Sequence, residues 1–314
     1  MDAAPPQLSV KFTAAMGTLD DQKLKRLYVQ VLQCRMLAER AGPRLNRHAG
    51  DYAFTPGEEA IVAGALSHLL PEDCVASSRR DLLCSFVKGT PLKDLFRQLR
   101  RRTATPARRS SALQEFRPSE VNVIAPLPGP ASVVPVIMGA GMALDFKLQK
   151  RPLVTVAFSS DDVAAQIPWH DALRFAARHR LPVVHVVRCS GPAPRKRGQA
   201  PASAKSLSVL ALSCEMPAIT VDSSDAVAIY RVTFEAIRRA REGHGPALIL
   251  CLPCRWDAEK TAAAPARHSR NVRWKPHDPV VFMENYLRQK GLWSDEWNKS
   301  QIRDFRRKLE EESN

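Results

Sequence analysis

The chain has 314 residues, 45% of them apolar and 25% charged, long enough for one large or two ordinary domains around a substantial core. No apolar run reaches the roughly 18 residues that a membrane-spanning helix needs. The formal net charge of +15 brings polyanions into consideration as partners.

Residues 1–18 are rich in proline and alanine and read as a loosely held tail. They have the character of neither a signal nor a transit peptide, so a cytoplasmic location is expected by default. From Asp20 the residues Leu24, Leu27, Tyr28, Val31 and Leu32 recur at helical spacing and predict an amphipathic helix. Pro56-Gly57 form a turn, and Glu58 to Leu70 read as a mostly apolar helix stopped by Pro71. Residues 103–130 carry many prolines and little periodicity, which predicts a long loop.

The pattern then becomes regular. A helix rich in small residues (139–148) leads to a strand (152–158), a helix (164–180), a strand (182–187) and a basic loop (191–205). A helix (206–215), a strand (218–221), a helix (225–242) and a strand (246–252) complete the series. Short aliphatic strands alternating with helices predict an α/β fold, a doubly wound and mainly parallel sheet with helices on both faces. Its ligand site is expected at the carboxyl ends of the strands. After this region "NYLRQKGLW" reads as a packing helix, and residues 294–314 as a charged, solvated helical arm outside the main domain of residues 19–293.

The seven cysteines, Cys34, Cys74, Cys84, Cys189, Cys214, Cys251 and Cys254, form no disulfide framework, which fits a reducing compartment. The close pair Cys251/Cys254 ends an aliphatic run and has no second pair for zinc, so structural filling is the preferred reading. Positive charge gathers at 97–109, 195–197 and 303–308. No aromatic residue interleaves the first two clusters, so solvated faces and anion-binding loops are preferred over nucleic-acid recognition.

Two turns fall at the carboxyl edge of the expected sheet: "SSDD", 159–162, and "RCSGP", 188–192. A carboxylate at one and an oxygen ligand at the other can share a magnesium ion, whose shell is completed by phosphate oxygens and water. Acidic N-caps of the following helix account for Asp161 and Asp162 equally well.

Several segments in matching order make the chain resemble the alpha subunit of the thiamine-diphosphate-dependent 2-oxo acid dehydrogenases, whose members act on pyruvate, branched-chain 2-oxo acids or acetoin. These segments are "PGEEA" (56–60), "HDALRFAARHRLPVVHVV" (170–187), "VDSSDAVAIY" (221–230), "EAIRRAREGHGPALI" (235–249) and "DPVVFMENYLRQKGLW" (278–293). The resemblance covers residues 22–293 and implies the thiamine-diphosphate-binding fold. It further implies oxidative decarboxylation with acyl transfer to a lipoyl carrier, an oxidoreductase reaction on an oxo group with a disulfide acceptor. The implied cofactors are thiamine diphosphate and Mg2+. The implied partners are a beta subunit, which shares the cofactor in a heterotetramer, and a lipoyl-bearing acyltransferase core.

The family's site maps onto this sequence with several departures. Its Gly-Asp-Gly falls on Ser160-Asp161-Asp162, so the metal-binding carboxylate is Asp161 and both glycines are replaced. Its paired asparagines fall on Cys189-Ser190, which leaves the Ser190 hydroxyl as a ligand and gives Asp162 the option of serving as another. Its Tyr-Arg-x-His reads Ser78-Arg79-Arg80-Asp81, retaining Arg79 for the diphosphate. The two family histidines are replaced by Asp81 and Glu259. A carboxylate in place of a hydrogen-donating histidine repels an anionic substrate, at about 4 kcal/mol for like charges some 4 Å apart at an effective dielectric near 20. The family's glycine-rich loop corresponds to 100–114, where arginines and prolines stand instead.

These departures leave a catalytically silent alpha-like homologue, with a structural or regulatory role, as the alternative to an active subunit. A polyanion-binding protein acting through its basic loops is an alternative of another class. Among single residues, His170 reads as capping or packing the crossover helix, His185 as a hydrogen-bonded core residue, and Trp169 and Phe175 as core.

Overall fold

The computed structural model describes residues 19–46, 57–77, 82–97, 122–124, 133–164, 166–189, 204–253 and 278–313. Their centre is a six-stranded sheet: β1 (Cys74–Ala76), β2 (Val123–Ile124), β3 (Thr155–Ser160), β4 (Val183–Arg188), β5 (Ala218–Asp222) and β6 (Ala247–Leu252). The spatial order is β2-β1-β3-β4-β6-β5 and every pairing is parallel. The fold is the α/β, doubly wound architecture expected from the alternation of elements.

Side chains of successive strand residues point to opposite faces, and both faces here are apolar. Val156, Phe158, Val184, Val186 and Ile249 enter one core cluster. Helices α1 (Asp21–Asn46), α2 (Glu59–Leu66), α3 (Leu82–Val87), α7 (Ala226–Arg241), α8 (Pro279–Gln289) and α9 (Asp295–Ser313) contribute to that cluster. Ala157, Val183, Val187, Leu248 and Leu250 face the other way. There they meet α4 (Val134–Leu148), α5 (Ile167–Arg178) and α6 (Ala204–Ser213). The small residues of α4 now have a physical cause, close approach to the sheet. A Cβ at Gly139 would lie 2.9 Å from the Ala157 Cβ.

Several expectations are met and others change. The five apolar positions of α1 are all buried, and Trp169 is a core residue. Phe175 is 40% exposed, because α5 turns that position away from the sheet. The predicted helix ending at Leu70 stops at Leu66, where Ser67 Oγ turns back onto the Ala63 carbonyl. Strand β2 lies inside the stretch expected to be loop, and most of that stretch falls outside the described residues. Helix α9 is packed on one side: Phe305 and Leu309 are buried in the main cluster, with Trp297 and Ile302 against it. The tail 1–18, the basic loops at 98–109 and 195–197, and Cys254 lie outside the described residues.

Two buried polar groups mark the core. The Asp73 carboxylate accepts from the backbone N–H of Val154 at 2.9 Å and of Leu70 at 2.7 Å, and it pairs with Arg241. It thereby joins the turn before β1, the entry to β3 and the end of α7. Asp73→Ala leaves Arg241 and two N–H groups without their acceptor. The expected cost is about 3–5 kcal/mol in chemical unfolding, and a loss below about 1 kcal/mol would refute that role.

His185, in the middle of β4, is buried as expected, but neither ring nitrogen has a hydrogen-bond partner among the described residues. Burial alone pushes its pKa down from 6.5 to about 4. The folded value lies below the unfolded one, so on acidification the unfolded chain takes up this proton first. The resulting stability is present above about pH 6.5 and lost as pH falls towards 4, on the order of 3 kcal/mol. His68, half-buried against Tyr230 and likewise held at about 4, adds a second acid-sensitive group. His185→Leu should lose less stability than the wild type between pH 7 and pH 4.5 in urea unfolding. Equal losses would disprove the assignment.

Candidate functional site

The parallel register sets Ser160 opposite Arg188, so β3 and β4 end together. The chain leaving β3 stays tied to its neighbour, because the Asp161 N–H donates to the Arg188 carbonyl at 3.1 Å. Asp161 is 3% exposed. On the adjacent strand exit, the Cys189 N–H donates to the Cys251 carbonyl at 3.0 Å. Burial, with Asp161 adding to it, pushes the Cys189 thiol up to about 12, so a neutral thiol faces the carboxylate.

Asp162 is exposed and directed differently. Its Oδ1 accepts from Ser160 Oγ and from the Val163 N–H, the latter at 3.0 Å, closing a tight turn over 161–164. The N-cap reading of the two aspartates therefore fails: α5 begins at Ile167, its N-cap is Gln166, and that residue makes no side-chain cap. The aspartates sit one turn too early, because Pro168 in the first helical turn and the intervening residues postpone the helix. His170 behaves as a packing residue, with its Nε2 2.8 Å from the Ala164 carbonyl oxygen. Trp169 Nε1 donates to Ser159 Oγ at 3.2 Å. Together these two rings clamp the turn that carries Asp161 onto α5.

The opposite wall comes from α2 and α3. Gly57, at φ 107°, makes the turn that introduces α2, and its N–H donates to Glu59 Oε2 at 2.7 Å. Glu59 is fully buried and receives Arg35 Nε at 2.5 Å. The same guanidinium grips Asp278 with two bonds, of 2.9 and 3.1 Å. Burial opposes ionisation of Asp278, but the Arg35 contacts override it and hold the carboxyl below its ordinary range. One arginine thus ties α1, α2 and α8, and it fixes the position of Glu58.

Glu58 is the residue that faces the strand ends. Its Oε2 is 3.4 Å from Arg188 Nη1, with the two side chains 26% and 16% exposed. The Arg188 guanidinium also lies 4.9 Å from the centroid of the Phe158 ring and 3.9 Å from Cys84 Sγ. Arg188 and Glu58 were not singled out from the sequence. The signal was there: a strand of valines closing on a charge at the edge where ligands bind.

Of the expected site residues, the structure brings Ser160, Asp161 and Asp162 to the carboxyl edge; Arg79, Asp81, Ser190 and Glu259 lie outside the described residues. Among the described residues no three His, Cys, Asp or Glu side chains cluster as a ready metal cage. No described helix is long and apolar enough to cross a membrane.

Residues 34–314 match the sequence model of the family described as "Dehydrogenase E1 component". The chain is 30% identical over 292 residues to a pyruvate dehydrogenase E1 component subunit alpha of Bacillus cereus, covering 90% of this chain and 75% of that protein. It is 29% identical over 290 residues to the protein of that name from Staphylococcus epidermidis, covering 88% and 74%. With the Bacillus subtilis protein of that name it shares 28% over 314 residues, covering 95% and 79%.

The half-buried pair at the mouth of the site is open to a direct test. A double-mutant cycle with Glu58→Gln and Arg188→Met is expected to give a coupling energy on the order of 1 kcal/mol in unfolding. Additive effects would show that the pair contributes nothing to holding α2 against the sheet edge.

Proposed function

Because the chain belongs to the dehydrogenase E1 component family and is an alpha-subunit homologue, we propose that it is the alpha-type subunit of a 2-oxo acid dehydrogenase. In this reading it acts with a beta subunit in a heterotetramer on a 2-oxo acid such as pyruvate. The acyl group passes to a lipoyl carrier of an acyltransferase core. The cytoplasm is its place of action, a reading supported by the cysteine usage.

The observation that carries the proposal is buried Asp161 at the carboxyl edge of β3, its backbone N–H bonded to the neighbouring strand end. Mg2+ bound alongside a phosphorylated cofactor commonly takes one or two carboxylates and fills the rest of its shell with phosphate oxygens and water. One carboxylate on a backbone held at the strand end fits that requirement. Asp161 would hold the metal, with Ser190 and Asp162 as further oxygen ligands, and Arg79 and Ser160 would meet the diphosphate. Bound there, thiamine diphosphate supplies the carbanion chemistry that its protein site only orients. The chain's own task is to bind and orient. The Trp169 and His170 contacts hold the Asp161 turn, and Arg35 and Glu59 hold the wall opposite.

A silent alpha-like subunit is the second reading, and two observations favour it. Cys189 presents a neutral thiol, a poor partner for a hard cation. The carboxylate of Asp162 already serves Ser160 and Val163 through one oxygen. Binding of a polyanion through the loops at 97–109 and 195–197 is a third reading, of another class.

Calorimetric titration of thiamine diphosphate with Mg2+ into the chain co-produced with its beta partner separates these readings. Binding is expected in the wild type, with at least about tenfold weakening in Asp161→Asn, a loss of about 1.4 kcal/mol or more. Absence of heat in a wild-type complex that assembles normally would overturn the enzymatic reading in favour of the silent one.

A further inference from the structure

Helix α9 packs Phe305 and Leu309 into the core and turns a row of cations outward. Lys299, Arg303, Arg306 and Arg307 fall at i, i+4, i+7 and i+8, so they share a sector about 100° wide and a length of about 12 Å. Together with Ile302 and Glu310 they line a shallow groove of about 380 Å³. Two of the arginines make only long ion pairs within the helix. Arg303 meets Asp304 at 3.8 Å and Arg307 meets Glu311 at 3.9 Å, with the two arginine side chains 79% and 69% exposed.

Like charges three or four residues apart on a helix each cost a few tenths of a kcal/mol. Three such pairs occur in this row: Lys299 with Arg303, Arg303 with Arg306, and Arg303 with Arg307. An external anion relieves that repulsion.

We propose that this face of α9 is a docking site for an acidic segment of another protein, independent of the cofactor reading. The charge pattern selects the occupant. Asp295 and Glu296 precede the cationic row and Glu311 and Glu312 follow it, while Glu310 closes the end of the groove itself. A nucleic acid running along the helix would carry its phosphates into those carboxylates. A short run of three or four carboxylates would not. Glutamates at every third or fourth position of a partner helix step at about 5–6 Å, which matches the spacing of the cations. Arginine's planar fork adds bidentate recognition of carboxylate. Ile302, partly buried at the foot of the row, offers apolar contact to such an amphipathic segment.

The test uses the full chain and a fluorescein-labelled helical peptide of about twelve residues with glutamate at every third or fourth position, read by anisotropy. Two charge-reversed variants are compared: Arg303→Glu/Arg306→Glu/Arg307→Glu on α9, and Lys93→Glu/Arg174→Glu/Arg178→Glu elsewhere, with the same change in net charge. The α9 variant is expected to bind at least about tenfold more weakly, the matched variant within about threefold of wild type, with affinity falling as salt rises. Equal weakening in both variants would overturn the proposal, since net charge alone would then explain binding. It is also overturned by no binding to the wild type, or by tighter binding of a single-stranded DNA of similar length through the same arginines. If the reversed α9 variant fails to fold, Arg303→Gln/Arg306→Gln/Arg307→Gln, which keeps the helix and removes the charge, must show the same selective loss.

Discussion

The register of β3 against β4 is the constraint on which the site depends. With Ser160 opposite Arg188 and the strands parallel, both chains leave the sheet at one edge, and the Asp161 N–H can reach the Arg188 carbonyl. A slip of one residue would exchange the faces of every following side chain in β4. It would drive Arg188 into the layer of α4 and α5, and Val187 towards Glu58. Burial on both sides makes that slip costly, because His185 would then trade places with a valine of the other core. The same two-sided burial that defines the fold therefore also delivers the charged residues to the edge in the right order.

The walls of the site depend on a different interaction. Arg35 satisfies two carboxylates from different helices, and one of them, Glu59, is fully buried. Removing a single partner from such a group leaves an uncompensated charge in a medium that solvates it poorly. The network thus fixes the α2 entry more firmly than helix propensity would, since α2 is eight residues long and has no side-chain N-cap. Asp278 completes the set by accepting from Arg35 and, at 2.9 Å, from the Val280 N–H at the start of α8. Packing, not local preference, positions this half of the crevice.

How much of this was legible in the sequence follows from the range of each interaction. Strands β3, β4, β5 and β6 and their crossover helices were readable, because aliphatic runs and helical periodicity are local. Strands β1 and β2 were not, since they are three and two residues long and exist through pairing with β3 and with each other. Asp161 was legible as a carboxylate at a strand end. The N-cap reading of both aspartates did not hold, because the distance from Asp162 to the first turn of α5 depends on how the intervening turn folds. Arg188 was overlooked, since its partners Glu58 and Cys84 lie more than a hundred residues away in the chain. His185 shows the same limit: sequence predicts burial, while satisfaction of its ring nitrogens depends on which side chains face it.

The charges at the edge carry the argument one step further. Among the described residues, Glu58, Asp161 and Asp162 bring three carboxylates to this edge, and Arg188 brings a guanidinium that pairs with Glu58. From these described side chains alone an entering anion meets net repulsion, which grows as water is displaced and the local dielectric falls. In the proposed reading, a diphosphate brought to this edge would need accompanying positive charge, which a divalent ion would supply.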